Sequence, residues 1–131
     1  MAELHDLTAL EQGAAIAAGE VSSAELVEHY LERIATRDDV GAFVTVTADQ
    51  ARERARSASP GAGPLSGVPT AVKDLNATAG VRTTFGSAAY DNFVPEVSDG
   101  VVLAMEAAGL VSLGKTATPE FGSPCYTEPD G

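Results

Sequence analysis

Lysine is scarce in this chain: Lys73 and Lys115 stand against six arginines. Arginine therefore supplies most of the basic surface charge. A lysine kept in apolar surroundings can lose its proton, which arginine cannot. Lys73 ends the apolar run Thr70-Ala71-Val72-Lys73. On a buried strand its ammonium would be desolvated and its pKa lowered, as a general base requires. Asp74 follows it directly. On a strand, neighbours point to opposite faces, so Asp74 is not the natural ion partner of Lys73. The plain alternative is a strand-end lysine whose stem packs while its head reaches water. Lys115, after Leu113-Gly114, reads as a strand-end lysine or as one meeting backbone carbonyls in a turn.

Other groups offer less. Ser112-x-x-Lys115, Ser98-Asp99-Gly100 and Lys115-Thr116-Ala117 mimic the serine β-lactamase set. Their order is wrong, Lys115 would serve two motifs, and Ser112 lies on an expected strand. His5 and His29 are far apart in acidic helical segments and read as helix-surface residues. Cys125 has neither a second cysteine nor a nearby histidine, so no metal or thiol-protease set is complete. Gly61-Ala62-Gly63 precedes a strand, which does not suit a phosphate loop. Ser66, Ser87 and Ser123 are loop serines with no base beside them.

The elements that must position these residues can be read from pattern. A first helix is expected from about Leu7 to Ala18, stopping at Gly19 and weakened by Gly13. Ser22 and Glu25 make a capping box, with Val21 and Leu26 placed as a hydrophobic staple. Leu26, Val27, Tyr30, Leu31 and Ile34 then share a helical face. Phe43–Val46 reads as a strand. Thr47 and Gln50 read as a second capping box, opening a helix with an Ala51, Ala55, Ala58 stripe. Residues 60–69 hold six Gly or Pro and form a loop. A strand is expected from Val68 to Lys73. A helix capped by Ser98 or Asp99 carries Val101, Val102, Met105 and Ala108, and a strand runs from Leu110 to Leu113, closed by Gly114. Strand, helix and strand in this order predict a βαβ unit with parallel pairing.

Composition bounds the rest. The chain has 131 residues, one domain at most or a piece of one. It is 44% hydrophobic but only 5% aromatic, so its core rests on Ala, Val and Leu. Net charge is −11, divided as −7 over residues 1–39, +2 over 40–90 and −6 over 91–131. An acidic surface argues against nucleic-acid binding and against an anionic membrane. No apolar run approaches the roughly 20 residues of a membrane helix, and the acidic stretch MAELHDL lacks the basic-then-apolar pattern of a signal peptide. A cytoplasmic location is expected.

Taken together, GPLSGVPTAVKDL, GVRTTFGS, Asp99 before a helix, and EAAGLVSLGKTATPEFG resemble the N-terminal part of the amidase signature family. The stretches SSAELVEHYLERI and GAFVTVTADQARERA resemble its opening helices and first strand. The resemblance runs from about Val21 to the C-terminus. It implies an α/β fold in which helices pack on a partial mixed sheet, with residues 1–131 the N-terminal portion of a single amidase domain. It implies hydrolysis of a carbon–nitrogen amide bond in a small-molecule substrate by a Ser–cis-Ser–Lys triad, without metal or organic cofactor. The triad lysine is the one in VKD, so the role falls on Lys73.

This sequence contains no segment like the GGSSGG that supplies the middle serine, and the family's nucleophile follows that segment. The expectation is a chain truncated before both serines and inactive alone. Ala117 stands where many members have Asn. Two further readings stay open: a non-catalytic packing or self-association module forming a homo-oligomer, and a fragment of a glutamyl/aspartyl-tRNA amidotransferase A subunit. The TPEFG ending favours stand-alone amidases over the latter.

Overall fold

The computed structural model describes residues 2–127. Four α-helices lie along the described residues: α1 (Ala9–Ala17), α2 (Ser23–Arg37), α3 (Ala48–Arg56) and α4 (Gly100–Ala107). Three strands, β1 (Phe43–Val46), β2 (Pro69–Lys73) and β3 (Val111–Thr116), form one mixed sheet in the order β1-β3-β2. β3 is central, antiparallel to β1 and parallel to β2. The expected β2-α4-β3 unit with parallel pairing is therefore present. This is an α/β fold in which helices accompany a small mixed sheet.

Local chemistry explains the helix starts. Ser22 caps α2: its Oγ accepts from Glu25 N at 3.0 Å, and Glu25 Oε2 accepts from Ser22 N at 2.7 Å. Val21 and Leu26 are both buried in one cluster, as the staple requires. Thr8 and Glu11 form an equivalent box at α1 that the pattern of the sequence did not bring out. The expected Thr47–Gln50 box does not form, because the Thr47 side chain makes no cap hydrogen bond. Its backbone is still tied to the sheet, with Thr47 N donating to Leu113 O at 2.9 Å. Gly13 also has a reason: a Cβ there would sit 1.9 Å from the Pro64 carbonyl oxygen, which crosses α1 at that point.

Two apolar clusters hold the helices on the sheet. Val27 and Leu31 of α2, Ala51 and Ala55 of α3, and Val111 and Leu113 of β3 form one. Ala15, Ile16, Val21, Leu26 and Val68 form the other, joining α1 to α2 and the approach to β2. α4 is different. It is apolar in sequence, yet only Val102 is buried, while Val101 and Leu103 are half exposed. Phe85, Tyr90, Phe93 and Phe121 gather into an aromatic group with neighbouring centroids 5.2–6.4 Å apart. No helix among the described residues is long and apolar enough to cross a membrane.

Candidate active site

The two lysines come to the same end of the sheet on opposite faces. Thr70 pairs with Ser112, but Val72 pairs with Lys115, so β3 uses three steps where β2 uses two. The extra residue is a bulge at Leu113-Gly114. In a regular strand Val111, Leu113 and Lys115 would share a face. The bulge leaves Val111 and Leu113 in the helical core and turns Lys115 to the other side. Gly114 makes this turn with φ +150°, and a Cβ there would lie 2.1 Å from the Thr45 carbonyl oxygen. The strand therefore does not close at Gly114 as expected. It continues to Thr116.

Lys73 pairs in register with Thr116 and is exposed. The burial expected for its ammonium is not met. β2 is an edge strand and Lys73 is its last residue, so the side chain reaches solvent. Its carbonyl accepts from Asn76 N at 3.0 Å, closing the turn that follows the strand. As alternation requires, Asp74 turns away from Lys73.

Lys115 is the buried lysine, at 1% exposure. Its Nζ donates to the Asn76 carbonyl at 2.7 Å and to Thr83 Oγ1 at 2.9 Å. The reading of a lysine that meets a turn carbonyl is thus correct, but it missed the rest. Asp74, also 1% exposed, places Oδ1 3.4 Å from Lys115 Nζ. Its Oδ2 accepts from Thr84 N at 3.1 Å and from Thr84 Oγ1 at 2.5 Å. Oδ1 has no hydrogen-bond partner, so the contact with Lys115 is a charge pair across a short gap. Burial pushes the Lys115 ammonium below the usual lysine range, while the Asp74 charge, and then the Asp99 charge, pulls it back.

Two further pieces frame this corner. The Lys115 stem borders a narrow cavity of about 50 Å³ shared with Val72, Val81 and Val102. A wider cleft of about 620 Å³ is lined by Asp74, Arg82, Thr84, Ser87 and Glu120, among others. Arg82 pairs with Asp91 and donates to Thr45 Oγ1 at 3.3 Å. Asp99 and Ser98 brace the loop from the other side: Asp99 Oδ2 accepts from Ala77 N, and Ser98 Oγ from Ala79 N, each at 2.8 Å.

Two of the loop serines are engaged in structure, while Ser123 is exposed. Ser66 Oγ donates to Ser59 O at 2.7 Å, and Ser87 Oγ to Glu120 Oε1 at 2.9 Å. Ser112 lies on β3 as expected. His5 and His29 are not separate surface residues. Both are half buried, and His5 Nδ1 lies 2.9 Å from His29 Nε2 in a ring-to-ring hydrogen bond. Cys125 is exposed. Among the described residues, no three His, Cys, Asp or Glu side chains group as metal ligands.

The amidase family model matches residues 25–131, and so spans every residue of this corner. The chain belongs to the amidase signature family. Its curated relatives include the A subunit of glutamyl-tRNA(Gln) amidotransferase from Thioalkalivibrio sulfidiphilus, 47% identical over 90% of this chain and 26% of the relative. The corresponding protein of Desulforapulum autotrophicum is 44% identical over 96% of this chain and 27% of its own length. Among solved structures, a 6-aminohexanoate cyclic dimer hydrolase superposes with a TM-score of 0.88 at 30% identity, covering 99% of this chain and 27% of that one. A bacterial aryl acylamidase of the same family gives 0.83 at 29% identity, covering 93% and 27%. The chain thus spans about a quarter of the length of the relatives it matches.

Proposed function

We propose that residues 1–131 are the base-bearing part of a single amidase domain and that Lys73 is its general base. The observation that carries this is the VKD segment of an amidase-family chain, with Lys73 at the open end of an edge strand. The reaction is cleavage of a carbon–nitrogen amide bond. Neutral Lys73 draws a proton from a middle serine, which in turn takes one from a nucleophilic serine. That serine attacks the amide carbonyl. Backbone N–H groups hold the oxyanion, the amine or ammonia leaves with a proton, and water releases the acid. The middle serine belongs to the family's Gly/Ser-rich segment, which these 131 residues do not contain, and the nucleophile follows that segment.

The exposure of Lys73 supports this division of labour. The serine-bearing region would pack over the β2 edge and bring Lys73 into the completed site. The chain alone is therefore expected to be silent toward amides. In a protein that unites it with the serine-bearing region, Lys73→Arg keeps the charge and removes proton acceptance. Turnover is expected to fall at least about 100-fold. Undiminished turnover in Lys73→Arg would rule out the base role.

A second reading is supported by the 44–47% identity to amidotransferase A subunits. Here the same amide cleavage supplies nitrogen for amidation of glutamyl-tRNA(Gln). Amidation of that tRNA by the united protein would place it in this class. Hydrolysis of simple amides without such amidation would place it among the stand-alone amidases.

A further inference from the structure

We propose that Lys115 and Asp74 form a positioning pair for Lys73, clamping from the opposite face of the sheet the turn that presents it. The inference rests on the reading of Lys73 as the base.

The turn Lys73-Asp74-Leu75-Asn76 is held at several points. Asp74 N donates to Thr116 O at 2.8 Å, which anchors the turn to β3. Asn76 N donates to Lys73 O at 3.0 Å, and Phe85 N to Asp74 O at 3.0 Å. Lys115 Nζ then grips the Asn76 carbonyl while standing against the Asp74 carboxylate. One ammonium thereby fixes both ends of the three-residue segment after Lys73. It can do so only because the Gly114 bulge sends it through the sheet plane, away from the face its spacing from Val111 and Leu113 would give it. A simple fold-stabilising role does not explain this choice. A buried ion pair is costly to desolvate, and a matched apolar pair is often as stable or more so. The pair adds directionality: an ammonium with two oriented acceptors and one facing carboxylate accepts a narrow set of turn geometries. The partly unmet Asp74 Oδ1 agrees with an arrangement set by orientation rather than by saturation.

The test is made on the 131-residue chain and involves no turnover, so its failure is separate from that of the base assignment. Lys115→Met/Asp74→Asn removes both charges together and should retain a stability near wild type. Positioning predicts that Asn76 amide exchange nevertheless accelerates by about tenfold, as its bond to the Lys73 carbonyl loosens. The Lys73 carbonyl ¹³C signal, the only lysine carbonyl left in this variant, should shift with it. Thr83→Val, which removes one Lys115 acceptor without touching either charge, should move both signals the same way by less. It decides the matter if the double variant does not fold. Wild-type exchange at Asn76, or an unmoved Lys73 carbonyl, would overturn the proposal whatever the stability.

Discussion

The two faces of the small sheet are built on different principles. Against α2 and α3, β3 presents Val111 and Leu113 to Val27, Leu31, Ala51 and Ala55, an aliphatic cluster. Beneath the 74–99 segment the same strand presents Lys115 to Asp74, Asn76 and Thr83. The first face depends on volume and area, is non-directional, and tolerates swaps that keep both. The second depends on pairing, and each partner removed leaves a buried charge or an orphaned acceptor. A single glycine separates the two regimes within one strand. An amidase-family chain can thus keep a tolerant core directly behind an intolerant corner.

The sharpest way to break that contrast is Lys115→Met alone. It fills the space but leaves Asp74 as an uncompensated buried charge, with an expected loss of about 3–5 kcal/mol in urea unfolding. A loss below about 1 kcal/mol would mean that the corner is no less tolerant than the core. On the apolar face, Leu113→Ala should cost about 3 kcal/mol through lost burial and the cavity left behind. Its effect should shrink when the site is refilled by Met or Ile, which no single replacement of Lys115 can imitate. The smallest effect concerns pH. Burial lowers the Lys115 pKa, so between that value and the ordinary 10.5 the unfolded chain binds more protons than the folded one. Lys115 therefore adds stability as pH rises through that alkaline window. Measured against Lys115→Met/Asp74→Asn, the wild type should gain across it, and a relative loss would contradict the shift.

The apolar face was legible in the sequence almost residue by residue. Leu26, Val27 and Leu31 fell at helical spacing, Ser22 and Glu25 announced the start of α2, and the β2-α4-β3 order predicted parallel strands. These signals are local and repeat with a fixed period. The polar corner was not legible, because it depends on one interruption of a period. Alternation from Val111 places Lys115 in the helical core or at the strand's end. Only the Gly114 bulge sends it toward Asp74, 41 positions earlier in the chain. A glycine inside a strand pattern is the signal that could have revealed it, since it marks a bulge or a close backbone approach. The Thr47 box failed for a related reason: a pairing with Leu113 prevailed over a local hydrogen bond. The histidine pair joins segments whose contact no periodicity encodes. Lys73 itself was singled out by composition and family resemblance, and its exposure followed from β2 lying at the edge.

That edge has a consequence for solution behaviour. An open strand rim presents free N–H and C=O groups on which another chain could dock. In β2 the rim is short and guarded at both ends: Pro69 has no N–H to offer, and Lys73 places a charge at the tip. Short length, proline and lysine are the devices by which natural sheets discourage edge-to-edge growth. Lys73, proposed above as the base, thus also places a charge that makes the bare rim of these 131 residues unattractive to stray strands.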